Sequence, residues 1–80
     1  PTGFVDRALA QTLRMFRRRA ETPSLVAHVV GSEPEPLGRP GGPTVSGAPA
    51  AMLAWLTGRS GGDDLTVDPP GSLPVLPAWA

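Results

Sequence analysis

Residues 46–59, SGAPAAMLAWLTGR, hold both ends of a short helix. Pro49 follows Gly47-Ala48 at the helix entrance, where a missing N–H costs nothing because that group would have had no helical partner. Met52, Leu53, Trp55 and Leu56 supply the apolar surface, and at this spacing Trp55 reads first as a core residue. Gly58 is placed to end the helix, since glycine tolerates the left-handed conformation that helix ends adopt. Arg59 comes next. A cation is favoured near the negative end of a helix, which alone could account for it. An arginine just past a glycine cap can also point into a cleft and clamp a carboxylate through two parallel hydrogen bonds. Both readings of Arg59 stand on the sequence.

Upstream, residues 3–21 predict a longer helix. Val5, Leu9, Leu13, Phe16 and Ala20 recur at intervals of three and four and stack on one face, with Arg7, Gln11, Arg14 and Arg18 opposite. Thr2 is a suitable N-cap, Asp6 lies towards the positive end of the dipole, Arg17–Arg19 lie at the negative end, and Pro23 stops the helix. Ser24–Gly31, SLVAHVVG, is short, β-branched and bounded by Pro23 and Gly31, so it reads as a strand with Leu25, Ala27 and Val29 on one face. Residues 31–43, GSEPEPLGRPGGP, carry four prolines and four glycines and read as a loop. Thirteen such residues are unusual in a small domain, so either this loop is mobile or a strand has been lost here.

Thr44–Ser46 and Leu65–Val67 read as short strands, with a turn over 60–64 between helix and strand. The proline-rich tail PPGSLPVLPAWA is expected to be extended, with Leu73, Leu76 and Trp79 covering the core. The order predicts an α+β fold, a small sheet of about three short strands packed with two helices and joined by long Pro/Gly-rich loops.

Composition bounds the function. A chain of 80 residues makes one small domain and buries only about 60% of its unfolded surface. It has 7 cations, 7 acids and no net charge, with 10 Gly and 11 Pro. No cysteine is present, so disulfides and thiolate metal sites are excluded, and a domain without such staples leans on a partner or a larger polypeptide. No signal peptide or membrane-length apolar run is legible, which gives a cytoplasmic expectation. All seven cations are Arg, and Lys, Ile, Asn and Tyr are missing, a bias expected of GC-rich coding DNA.

Little in the chain suggests self-contained catalysis. His28 is the only histidine, and a zinc site needs three or four ligands, so it reads as an edge or partly buried strand residue. Asp63, Asp64 and Asp68 flank a turn and read as solvated, although paired carboxylates can exchange protons. The glycine doublets lack the spacing of a phosphate loop, and no serine sits in a nucleophile elbow. Arg14, Arg17, Arg18 and Arg19 form the densest charge cluster, either a solvated helix face or a surface for an anionic partner. Neutral charge and four aromatics speak against nucleic acid.

The pattern of residues 46–59, small-Gly-x-Pro leading into an apolar helix that ends in Leu-x-Gly-Arg, resembles the C-terminal domain of the mycothiol-dependent maleylpyruvate isomerase family. LTVD at 65–68, SLPVLPAW at 72–79, and the helix FVDRALAQTLRMFRRRA followed by VAHVV are similar too, so the likeness spans nearly the whole chain. It implies an actinobacterial, two-domain protein in which a DinB-like N-terminal bundle binds a divalent metal and mycothiol serves as thiol cofactor. Residues 1–80 would then be the sterol-carrier-like accessory domain, itself without cofactor or metal, that closes the cleft against the bundle and contributes one arginine, here Arg59. The bundle and its ligands lie outside these residues, and the Trp-containing strand expected after VAHVV is replaced by loop 31–43. The alternative is a non-catalytic protein-interaction module using Arg14–Arg18 or the apolar tail. A sterol-carrier-like lipid tunnel is more than 80 residues can readily enclose.

Overall fold

The computed structural model describes residues 2–77, apart from the side chain of Thr2. Two helices and four strands follow in the order α1 (Thr2–Arg18), β1 (Leu25–Val29), β2 (Glu35–Leu37), β3 (Thr44–Gly47), α2 (Pro49–Leu56) and β4 (Thr66–Asp68). The α+β expectation holds, with one strand more than foreseen. The sheet order is β2-β1-β3-β4, with β1 and β3 parallel in the middle and an antiparallel strand on each edge.

Burial alternates along β1. Leu25, Ala27 and Val29 are covered, while Val26 and His28 on the other face are half-exposed. The same register puts Leu37 of β2 and Val45 of β3 on the covered face, where α1 contributes Leu9, Leu13 and Phe16, and α2 contributes Met52, Trp55 and Leu56. Leu65, Val67, Leu73 and Leu76 close the periphery of this core, as expected for the two tail leucines. Trp79 lies outside the described residues.

Two expectations are corrected. Helix α1 ends at Arg18 rather than continuing to residue 21. The chain turns back there: the Thr22 hydroxyl donates to the Phe16 carbonyl at 2.5 Å, and the Arg19 N–H reaches the same carbonyl at 3.2 Å. The Phe16 carbonyl, near the end of the helix, thus accepts from a buried threonine, and Ala20 lies exposed beyond the helix instead of on its apolar face. Thr2 is already helical.

The second correction concerns residues 31–43, which are not all loop. Glu35-Pro36-Leu37 pairs antiparallel with β1, Leu25 opposite Leu37 and Ala27 opposite Glu35. The Val26 N–H donates to the Pro43 carbonyl on the β3 side, so Val26 and its opposite number Pro36 form a non-hydrogen-bonded pair. The Pro36 nitrogen therefore faces the free edge of the sheet, where a proline breaks no ladder. The rest of the segment returns tightly to β1. A Cβ on Gly42 would run into the Ser24 carbonyl, which explains a glycine there.

Candidate functional site

The end of α2 holds Arg59. Thr57 is the C-cap, and Gly58 follows with φ of 79°. The Gly58 N–H donates to the Trp55 carbonyl at 3.1 Å and the Arg59 N–H to the Ala54 carbonyl at 2.8 Å. These two crossed bonds form a Schellman motif, which requires the left-handed residue that glycine supplies. The Thr57 hydroxyl adds a bond of 2.8 Å to the Leu53 carbonyl, and the Ser60 N–H shares the Ala54 carbonyl at 3.1 Å. The backbone of Arg59 is thereby fixed to α2, and α2 to the core through Met52, Trp55 and Leu56. Arg59 is exposed, and among the described residues it forms no ion pair.

Arg59 stands at the edge of a groove of about 490 Å³ between the outer surfaces of α1 and α2. From α1 come Phe4, Ala8, Gln11 and Met15, and from α2 come Ala50, Leu53 and Ala54. Phe4 is 68% exposed and Met15 43%. These two were not singled out in the sequence, where the core face of α1 drew the attention. The signal was a second stripe, Phe4, Ala8 and Met15, about a third of a turn around the helix from Leu9 and Leu13.

The other flank of α1 borders a cleft of about 590 Å³ with a mixed lining, in which Asp6, Arg14 and Arg17 from the helix, Glu33 from the β1–β2 connection and Glu35 of β2 stand beside apolar residues such as Leu13 and Val29. Arg17 and Glu35 form an ion pair at 2.7 Å. Arg19 pairs with Glu21 at 2.7 Å and lies 5.7 Å from the centre of the Phe16 ring. Two of the four clustered arginines thus meet acids of the same chain, which favours the solvated-face reading over a surface for an anionic partner.

His28 lies half-buried on the open face of the sheet, with Ser46 opposite it on β3. Asp63, Asp64 and Asp68 are exposed, as solvated turn residues would be. Among the described residues no group of three or more His, Cys, Asp or Glu is arranged to hold a metal ion. No helix among the described residues is long and apolar enough to cross a membrane.

The architecture defines a class, a two-helix, four-strand α+β domain with one packed and one open sheet face and a helical groove left uncovered. A sequence-family model for the MDMPI C-terminal domain matches residues 1–78, and the chain belongs to that family. Among solved structures it is similar to the mycothiol-dependent maleylpyruvate isomerase, with a TM-score of 0.82 and 22% sequence identity over 99% of this chain and 33% of the other. A histidine-to-alanine mutant of that isomerase matches with a TM-score of 0.81 and the same identity and coverage. The chain thus spans about one third of the solved enzyme. No curated protein sequence matches significantly.

Proposed function

We propose that this chain is the C-terminal accessory domain of a mycothiol-dependent maleylpyruvate isomerase-like protein of the cytoplasm, closing an active cleft formed with an N-terminal DinB-like bundle and presenting Arg59 to a substrate carboxylate. One observation carries the reading: Arg59 is an exposed guanidinium, without an ion pair among the described residues, on a backbone pinned by the Schellman bonds of α2. A planar fork of donors matches a carboxylate bidentately, and it does so with more strength once a closed cleft excludes water. In a cis-to-trans isomerisation of a dicarboxylate, such a cation holds one carboxylate in place while the adjoining bond turns, and it stabilises negative charge that develops alongside.

Mycothiol would supply the thiol of the reaction, and a divalent metal is implied for the parent protein. The described residues of this chain offer no ligand set for that metal, so no step is assigned through it here. The upstream coding region is expected to encode a bundle with two or three histidines at helical spacing, and a region without one would sink the enzyme reading in favour of a non-catalytic interaction module. In the complete polypeptide, Arg59→Ala should lower kcat/KM by about a hundredfold with an unchanged Tm. Arg59→Lys should recover little, because an ammonium cannot form the fork. Unchanged kinetics in Arg59→Ala would remove Arg59 from the site.

A further inference from the structure

We infer that the groove between α1 and α2 is the seat of the preceding domain of the same polypeptide, which covers Phe4 and Met15 with an apolar surface and thereby brings Arg59 to the domain boundary. The inference rests on the reading of the chain as a C-terminal domain with Arg59 at a shared cleft.

Three observations converge on it. Phe4 and Met15 are large apolar side chains left exposed on a helix whose other apolar face is already spent on Leu9, Leu13 and Phe16. Together with Ala8, Ala50, Leu53 and Ala54 they make an apolar floor, with Gln11 and Arg59 as polar groups beside it, the usual anatomy of a docking surface. The chain makes up one third of the length of the solved isomerase, and a C-terminal domain is joined to the rest of its polypeptide through its first residues. Those residues are in α1, the element that carries Phe4 and Met15, so the preceding domain is tethered at one end of the groove. A tether raises the effective concentration of that occupant far above that of any free partner. The other flank of α1 is a poorer seat for an apolar cover, since Asp6, Arg14, Arg17, Glu33 and Glu35 line its cleft and the Arg17–Glu35 pair lies within it.

Peroxide oxidation of the methionines in the complete polypeptide, read by mass spectrometry, tests this directly. Met52 is fully buried in the core and serves as the internal standard. Met15 should oxidise at least about tenfold more slowly in the native protein than in the same protein unfolded in urea, at every protein concentration. Phe4→Asp should raise the native rate of Met15 towards the unfolded value while Met52 stays protected. Fast oxidation of Met15 in the native wild type overturns the inference. So does protection that disappears on dilution, since a second copy would then be the cover. Protection that persists in Phe4→Asp also counts against it. Should Met15 be protected while Arg59→Ala leaves turnover intact, the docking surface stands and the catalytic reading falls. Should Met15 be open while Arg59→Ala abolishes turnover, the reverse holds.

Discussion

The two flanks of α1 are built on opposite plans. On one side, Asp6, Arg14, Arg17, Glu33 and Glu35 bring charges of both signs together, and Arg17 is already paired with Glu35. On the other, apolar side chains stand open to solvent beside an arginine with no ion pair among the described residues. A cleft whose charges already pair is finished within the chain. An apolar groove edged by an unpaired cation is complete only against something else, because exposed apolar surface gains by being covered and a charge gains where the cover brings an opposite charge to it. Net neutrality hides this, since the charges balance in number but not in place.

The comparison can be broken from beneath. Phe16 is fully buried under α1 and seats the helix that both flanks share. Phe16→Ala should destabilise the domain by about 3–5 kcal/mol, as measured by denaturant unfolding, and blur the two flanks alike. A loss below about 1 kcal/mol would mean that α1 is held by other contacts. A smaller change touches the groove side alone. Gly58→Ala puts a Cβ on a residue at φ of 79° and should cost about 1–2 kcal/mol in the same measurement. Because Gly58 aims the chain into Arg59, turnover of the complete polypeptide should fall as well. The least effect belongs to the polar flank. Arg17→Ala removes a partly exposed ion pair and should cost at most about 1 kcal/mol, a difference that shrinks with added salt. Turnover should not change, and a strong loss there would erase the distinction between the flanks.

The sequence made the elements with regular punctuation legible. Pro49 and Gly58 bracket α2 closely, and the alternation Leu25, Ala27, Val29 marks the covered face of β1. Arg59 could be picked out because a glycine cap fixes where the next residue begins. The end of α1 was not legible, because the hydroxyl of Thr22 competes for the Phe16 carbonyl through a turn that periodicity does not register. Strand β2 was missed because prolines and glycines read as loop wherever a ladder is assumed to run on both sides. Glu35 and Leu37 bond inward, so the proline between them is compatible with an edge. The groove escaped because its stripe on α1 is shorter than the core stripe beside it, and only packing against α2 turns Phe4 and Met15 into one surface.

Strand β2 also limits how this molecule can associate. Pro36, the middle residue of this three-residue strand, presents its nitrogen at the outer border of the sheet and has no hydrogen to give, and Pro34 just before the strand also lacks one. At the opposite border, Thr66 and Asp68 pair inward with Ser46 and Thr44, leaving the Val67 amide as the outward donor before Pro69 interrupts the strand. An incoming strand finds almost no amide to bond at either side, so runaway sheet extension into fibrils is disfavoured during synthesis, before any partner has arrived.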